Sequence, residues 1–157
     1  STRVRSSAAS DVYKRQAEET ERHIDYAKRF RTNEFVIHDR VDAISHATCG
    51  MAIDIGAKVI VVTSMSGMTV RMVSRFRAPT DIVGMATNKR VWYKLSLSWG
   101  VLPVLSEQFN STDVLFYHAL RAARDTMHLQ PGDNVVMTGG NTTGTSGNTN
   151  LIKVETI

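Results

Sequence analysis

Residues 58–63 read Lys-Val-Ile-Val-Val-Thr, a nearly continuous run of β-branched side chains. Such a run without polar alternation is typical of a strand buried on both faces, as in a parallel sheet. Gly56 stands just before it and is expected to end a helix that begins at Asp39, a good N-cap. The apolar positions of this helix follow the spacing of one helical face, and they are Val41, Ile44, Thr48, Met51 and Ile55.

The chain beyond this strand keeps alternating between strand and helix. The predicted elements are a helix from Thr69 to about Arg77, a strand over Asp81–Ala86, a helix capped by Asn88 to about Ser98, a strand over Val101–Leu105, a helix capped by Thr112 or Asp113 to about His128, and strands over Asn134–Thr138 and Leu151–Ile157. No helical pattern separates the last two strands, so they are expected to be antiparallel. The sequence therefore predicts an α/β fold: a three-layer α/β/α sandwich with a mixed five-stranded sheet.

The first 35 residues differ from the rest. Ser1 to Gln16 show no hydrophobic period, and we expect residues 1–16 to be a disordered or adapter-derived lead-in. Good helix formers over residues 17–35 predict a helix that breaks near Asn33, with too thin an apolar face to be stable alone. The α/β domain is expected to occupy residues 36–157.

Composition excludes several classes of protein. The 157 residues are 42% hydrophobic and 22% charged, close to the average for soluble globular domains. The net charge of +4 is spread along the chain without a basic motif, which argues against nucleic-acid binding. No apolar run is long enough for a membrane span. A single cysteine, Cys49, fits a reducing compartment, so we expect a cytoplasmic protein.

The first candidate site is the loop that follows the buried strand and precedes a helix. It consists of Ser64, Met65, Ser66, Gly67, Met68 and Thr69. The carboxyl ends of parallel strands are where open α/β sheets bind ligands, and amide groups at a helix N-terminus favour an anion such as phosphate. The alternative is that the hydroxyl groups merely cap the helix.

The second candidate is the Gly- and Thr-rich segment 139–150, which follows the fourth strand. A loop this long in a small domain is usually functional or mobile, and this one is expected to close over the same ligand. The residues assigned to phosphate binding here are Gly140, Gly144, Ser146 and Gly147. The alternative is a simple hairpin connection.

No catalytic constellation or metal site is predicted. His46 and Cys49 are three residues apart on one helix, but a metal site needs further ligands, so Cys49 is interpreted as a small buried hydrophobe. No nucleophile elbow, P-loop or dinucleotide fingerprint is present.

Several motifs together resemble the C-terminal domain of the bacterial-type pyruvate kinase family. The resemblance covers residues 17–157 and rests on Asp42–Ala47 (DAISHA), Gly56–Thr63 (GAKVIVVT), Ser66-Gly67-x-Thr69, Met72–Pro79 (MVSRFRAP), Asp81–Thr87 (DIVGMAT), Pro131–Asp133 (PGD), Thr138–Gly140 (TGG) and Ser146–Val154 (SGNTNLIKV). Residues 17–26 resemble the end of the last helix of the family's catalytic barrel.

The resemblance implies a part of an enzyme rather than a whole one. In the family, a barrel domain transfers phosphate from phosphoenolpyruvate to ADP with Mg²⁺ and K⁺, and none of its catalytic residues is in this sequence. The C-terminal domain contributes contacts in a homotetramer and, in many members, a pocket for a phosphorylated effector. The family's effector loop corresponds to residues 64–69 and its closing loop to residues 140–148. The chain by itself is expected to be inactive.

Three departures from the family pattern bear on the effector. Met65 and Met68 stand where bisphosphate-binding members often have a basic residue, and Leu115 stands near the place of an arginine for the second phosphate. The last loop also lacks the proline of the family pattern. The effector therefore stays open between a sugar monophosphate, AMP, a bisphosphate and none. The alternatives are a free-standing α/β phosphate-binding module and a purely structural assembly domain.

Overall fold

A computed structural model describes residues 2–140 and 148–157, with side chains from residue 10 onward. The elements in chain order are α1 (Thr2–Arg22), α2 (Tyr26–Thr32), α3 (Arg40–Asp54), β1 (Val59–Thr63), α4 (Met68–Arg75), β2 (Asp81–Ala86), α5 (Lys89–Leu95), β3 (Val101–Leu105), α6 (Thr112–Met127), β4 (Asn134–Gly140) and β5 (Thr149–Thr156). All five predicted strands are confirmed, and α3 to α6 lie where helices were predicted.

The five strands form one sheet in the order β3-β2-β1-β4-β5. Strand β1 lies in the middle and is parallel to both neighbours, with Val61 level with Val83 of β2 and Met137 of β4. Strand β5 is antiparallel to β4. The sequence has no helical pattern between the last two strands, and the mixed sheet predicted from this is confirmed.

Helices cover both faces of the sheet, which makes the predicted three-layer sandwich. On one face, Ile60 and Val62 of β1 pack in a core with side chains of α3, α4 and α5. On the other face, Val59 and Val61 pack in a second core with Phe116 and other residues of α6. All five side chains of β1 are buried, as the β-branched run predicted.

Helix α3 buries a different face from the predicted one. The buried residues are Asp42, Ser45, Thr48, Cys49 and Ala52, so only Thr48 belongs to the predicted set. These side chains are small, which lets α3 lie close to α4 and to strands β4 and β5. Asp42 tolerates burial because its carboxylate pairs with Arg75 at 3.3 Å and accepts the His38 N–H at 3.2 Å.

Smaller differences concern the helix ends. Asp39 and Asn88 cap α3 and α5 as predicted, each accepting a backbone N–H three residues on. Helix α5 ends at Leu95 rather than Ser98, and the N-cap of α6 is Ser111 rather than Thr112 or Asp113. The shift at α6 is within the fraying expected at helix ends. After α5, the Leu97 and Ser98 N–H groups donate to carbonyls three residues back, so the chain continues as tight turns beyond the α-helix.

Most of the N-terminal segment is helical, and the disordered or adapter-derived lead-in expected for residues 1–16 stays a prediction. Helix α1 extends back to Thr2, and α2 is a separate helix capped by Asp25. Charge pairs one turn apart, such as Lys14–Glu18, favour the helical state, although exposed pairs contribute little each. Phe30 of α2 is buried in the core, so α2 packs on the domain, whereas the side chains of α1 from residue 10 onward are exposed. The native or adapter origin of residues 1–16 stays a prediction.

The end of α1 and the start of α2 meet the domain at Trp99. The indole N–H donates to the Glu21 carboxylate at 3.0 Å, and the Tyr26 ring lies 4.9 Å from the indole. The guanidinium of Arg77 lies 4.8 Å above the same indole ring.

None of the helices in the described residues is long and apolar enough to cross a membrane.

The two edges of the sheet are different. At the two ends of β3, the Ser106 N–H donates to β2 and the Gly100 carbonyl accepts from β2. Backbone groups of successive residues in a strand point to opposite sides, so those of Pro103 point away from β2. Pro103 has no N–H to offer, and its carbonyl accepts the Trp92 indole N–H at 2.9 Å. On the opposite edge, no strand among the described residues pairs with the outer side of β5.

Gly84 gives a test of how closely the helices pack on the sheet. A Cβ at Gly84 would lie 2.8 Å from Val70 of α4 and 3.1 Å from Val101 of β3. We expect Gly84→Ala to lower the free energy of unfolding by about 1–3 kcal/mol, because neither neighbour can move without disturbing the core. Urea unfolding followed by circular dichroism measures the change.

Gly50→Ala is the matched control. Gly50 lies inside α3, where a Cβ would meet only Phe30 at an ordinary 3.8 Å. This substitution should raise the free energy of unfolding by about 0.5–1 kcal/mol, since glycine disfavours helix. Equal effects of the two substitutions would contradict the packing described for β2.

Candidate functional site

The candidate site lies where the strand order reverses. Strands β2 and β3 lie on one side of β1, and β4 lies on the other, so the loops that leave the carboxyl ends of β1 and β4 diverge. In open α/β sheets, ligands bind in the crevice at such a topological switch point. We call this place, formed by residues 63–69, 139–140 and 148–149, the switch-point crevice.

Both predicted loops begin at this crevice. Val62 is level with Thr138 in the sheet, and the Thr63 hydroxyl donates to the Thr138 carbonyl at 3.5 Å. Gly140 lies at the end of β4, where its lack of a side chain lets the backbone of Asn148 pass. The other predicted residues of this loop, Gly144, Ser146 and Gly147, lie outside the described residues.

The loop after β1 turns sharply into α4. Gly67 has a φ of +75°, a conformation that favours glycine, and a Cβ there would lie 2.9 Å from Val91. Met65, Ser66 and Met68 are exposed, with 38% of Met65 and 44% of Met68 accessible. Ser64 is half-buried. The loop therefore presents one hydroxyl and two thioethers to solvent.

The serine hydroxyls have local partners. The Gly67 N–H donates to the Ser64 Oγ at 3.0 Å, and the Met68 N–H lies 3.5 Å from the Ser66 Oγ. These contacts agree with the capping alternative. A serine hydroxyl that accepts a hydrogen bond keeps its own hydrogen to donate, so both residues can also bind an anion.

Thr69 is placed differently from the two serines. It is 3% exposed, and its hydroxyl shares a hydrogen bond of 2.5 Å with the buried hydroxyl of Thr149. Thr69 therefore does not face the solvent side of the crevice. Its contact joins the first turn of α4 to the first residue of β5, and so joins the two loops.

Helix α4 directs its N-terminus at the crevice. The Arg71 N–H donates to the Gly67 carbonyl at 3.2 Å, and the amide groups before it in the helix have no acceptor within the helix. The aligned peptide dipoles give this end of the helix a partial positive charge. This arrangement favours an anion at residues 66–69.

Two arginines near the crevice are absent from the sequence prediction. Arg71 extends back along α4, with its guanidinium 3.7 Å from the Met68 sulfur. Arg40, at the start of α3, donates to the Asn148 side chain at 3.3 Å. The spacing of three residues from Met68 could have indicated Arg71. No local signal could have indicated Arg40, because its partner is 108 residues away.

The remaining sequence candidates have structural roles. Cys49 is fully buried, and this burial raises the pKa of its thiol to about 12, so it is a protonated core side chain. The His46 ring stacks on Phe30 at 4.8 Å. Within residues 2–140 and 148–157, no three His, Cys, Asp or Glu side chains come close enough together to hold a metal ion.

Comparison with known proteins identifies relatives. A family model described as "Pyruvate kinase, alpha/beta domain" matches residues 42–155. Pyruvate kinase of Clostridium acetobutylicum is 37% identical over 116 residues, covering 74% of this chain and 24% of the relative. The enzyme of Lactobacillus delbrueckii subsp. bulgaricus is 33% identical over 127 residues, covering 81% and 22%.

A third match extends towards the N-terminus. Pyruvate kinase of Staphylococcus aureus strain USA300 is 30% identical over 158 aligned residues, covering 95% of this chain and 27% of the relative. The chain thus spans about a quarter of the length of the curated relatives it matches.

The hydroxyl pair between the two loops can be tested by a double-mutant cycle. Thr69→Val and Thr149→Val should each lower the free energy of unfolding by about 1–3 kcal/mol, because each leaves a buried hydroxyl unpaired. The double variant should cost less than the sum of the single ones. Urea unfolding of the four proteins measures this coupling.

Thr20→Val serves as the control, since Thr20 is exposed on α1 and bonds only within its own helix. Its effect should stay within about 0.5 kcal/mol. Additive effects of the Thr69 and Thr149 substitutions would contradict the contact.

Proposed function

The chain belongs to the pyruvate kinase family, whose C-terminal alpha/beta domain it contains, and on that premise we propose that it is the regulatory and oligomerisation domain of such an enzyme. The full-length enzyme would transfer phosphate from phosphoenolpyruvate to ADP in the cytoplasm, in a homotetramer. We assign this chemistry, with its Mg²⁺ and K⁺, to the catalytic barrel of the longer relatives. This chain alone would then be inactive.

The proposed ligand of the domain is a phosphorylated small molecule in the switch-point crevice. The observation that carries this proposal is the N-terminus of α4 opening onto the crevice with Ser64 and Ser66 beside it. Phosphate groups bind readily at helix N-termini because amide hydrogens and the helix dipole both favour negative charge. The two serine hydroxyls add short, neutral donors.

Positive charge beside the crevice supports the same ligand. Arg71 is one turn into α4, and Arg40 reaches the start of the returning chain at Asn148. Neither guanidinium is paired with a carboxylate in the described residues, so both charges are available to an anion. Thr69 would contribute indirectly, by joining α4 to β5 through Thr149.

Two alternatives remain distinguishable. A free-standing α/β module would use the same crevice, and the coding sequence upstream of residue 17 separates it from a domain of a larger enzyme. A purely structural assembly domain would bind no phosphorylated ligand. Family membership and the exposed α1 helix favour a part of a larger protein.

The open edge of β5 supports the role in oligomerisation. The Ile157 N–H donates to the Asp133 carbonyl just before β4. Backbone groups of successive residues point to opposite sides of a strand, so those of Ile152, Val154 and Thr156 point away from β4. An unpaired strand edge is a ready site for pairing with another copy. We therefore assign the contact between subunits to β5.

Titration calorimetry with phosphate, ribose 5-phosphate, AMP and fructose 1,6-bisphosphate tests the ligand proposal. We expect at least one phosphorylated ligand to bind. Fructose 1,6-bisphosphate should gain little over a monophosphate, because the resemblance puts Leu115 near the place of the arginine for the second phosphate. Ser66→Asp should weaken binding at least tenfold, since it adds a carboxylate where the anion binds.

The matched control is Ser66→Asn, which has the same shape as Ser66→Asp without the charge and should retain most of the affinity. The proposal is wrong if the native chain binds none of the four ligands, or if Ser66→Asp binds as well as the native chain. The capping role of the serines would then be their only role.

Val154→Pro tests the assembly proposal. This substitution removes one outward N–H of β5 while leaving the hydrogen bonds to β4 in place, as Pro103 does on the other edge. Sedimentation velocity should show self-association of the native chain at high concentration and a monomer for Val154→Pro. Val154→Thr keeps the N–H and should associate like the native chain. A native monomer, or an unchanged Val154→Pro, contradicts the proposal.

A further inference from the structure

Exposure separates two of the seven methionines from the others. Met65 and Met68 are 38% and 44% exposed, and both belong to the segment that joins β1 to the first turn of α4. The other five are buried or partly buried, and they are Met51, Met72, Met85, Met127 and Met137. An oxidant in solution reaches exposed thioethers first, so methionine oxidation in the described part of the chain concentrates on this segment.

The single cysteine does not compete for an oxidant. Cys49 is fully buried, and its thiol lies 3.6 Å from the Val73 carbonyl oxygen. Burial raises the pKa of this thiol to about 12, so it stays protonated at neutral pH. The thiolate is the form of cysteine that reacts as a nucleophile. The exposed thioethers of Met65 and Met68 are therefore the sulfur atoms that a peroxide attacks first.

A cationic side chain lies against the sulfur of Met68. The Arg71 guanidinium, one turn further along α4, donates to the Met68 Sδ at 3.7 Å. A thioether sulfur is only a weak acceptor. Among the described side chains, no carboxylate pairs with Arg71. A stronger acceptor at the position of this sulfur would therefore hold the guanidinium on the helix surface.

Oxidation of Met68 by a peroxide supplies such an acceptor. The O–O bond of the peroxide breaks as an S–O bond forms, so the sulfur loses two electrons, and the second peroxide oxygen leaves as water with both protons. The sulfoxide oxygen carries a partial negative charge, which makes the side chain polar. Hydrogen bonds from a charged donor are shorter and stronger than those between neutral groups. Residues three apart are neighbours on a helix surface, so Arg71 can donate to this oxygen without a change of the backbone.

We propose that Met68 is a reversible oxidation site, whose sulfoxide holds the Arg71 guanidinium and so removes a positive charge from the switch-point crevice. The sulfoxide oxygen also brings partial negative charge close to Ser66, whose Oγ lies 3.5 Å from the Met68 N–H. Oxidation therefore weakens the binding of a phosphorylated ligand, and methionine sulfoxide reductases restore it. The effect on the ligand rests on the proposed function, whereas the oxidation and the contact with Arg71 do not.

Limited treatment of the 157-residue chain with hydrogen peroxide, followed by peptide mapping in a mass spectrometer, tests the site. Both exposed methionines lie on the tryptic peptide 59–71, and fragment ions distinguish them because they are three residues apart. Met68 should gain an oxygen atom at least tenfold faster than the buried Met85 and Met137, and Cys49 should stay unmodified. Oxidation of Met68 no faster than that of the buried methionines overturns the proposal.

Nuclear magnetic resonance of the side-chain Nε–H of Arg71 tests the contact with the sulfoxide. The signal is assigned by its absence in Arg71→Lys. Peroxide should shift it in the native chain and in Met65→Leu, but not in Met68→Leu, since leucine has a similar volume and cannot be oxidised in this way. Reductase treatment should return the shifted signal. A signal that does not respond, or that shifts equally in Met68→Leu, overturns the proposal. This measurement needs no phosphorylated ligand.

Titration calorimetry measures the consequence for the crevice, with whichever of phosphate, ribose 5-phosphate, AMP and fructose 1,6-bisphosphate binds the native chain most tightly. Each protein is compared with itself before and after peroxide, and circular dichroism checks that it stays folded. The affinity should fall at least fivefold in the native chain and in Met65→Leu, and should not change in Met68→Leu. An unchanged native affinity, or an equal fall in Met68→Leu, overturns the regulatory role. If the native chain binds none of the four ligands, the proposed function is wrong, and the mapping and the Arg71 signal still decide whether Met68 is the oxidation site.

Discussion

The burial of β1 on both faces is the constraint on which the domain depends. Four of its five residues, Val59 to Val62, have no exposed surface, because strands flank them on both sides and helices cover them above and below. Each such side chain contributes about 1.5–3 kcal/mol on burial. A strand enclosed in this way can be reached by a ligand only at its ends. The carboxyl end is where the chain order reverses, so the packing of the core also fixes the position of the candidate site.

The sequence predicted the parts of this fold that depend on local pattern. The KVIVVT run, the caps at Asp39 and Asn88 and the antiparallel β5 follow from neighbouring residues alone. The buried face of α3 could not be predicted in this way. Asp42 can be buried because Arg75 of α4 pairs with it. From sequence alone an aspartate is expected at the surface, since its partner 33 residues further on cannot be inferred from neighbouring residues.

The candidate site shows the same division. Residues 64–69 directly follow β1 in the sequence, so their place at its carboxyl end could be predicted from local sequence alone. The different orientations of Ser66 and Thr69 depend on Thr149, 80 residues away, and Arg40 approaches the crevice only because of where α3 packs.

Helix α4 links this crevice to the N-terminal helices. Its Ser74 hydroxyl donates to the Trp99 carbonyl at 2.7 Å, and Trp99 in turn donates to Glu21.

The unequal edges of the sheet limit what kind of assembly strand pairing can build. A sheet with two open edges can add copies at both ends, which leads to fibres of indefinite length. Here Pro103 and Trp92 block one edge, so each copy has only β5 to offer. When two copies pair through β5, both β5 edges become hydrogen-bonded, and the two copies are related by a two-fold axis. Pairing through this sheet therefore stops at two copies, and any larger assembly must be made through other surfaces.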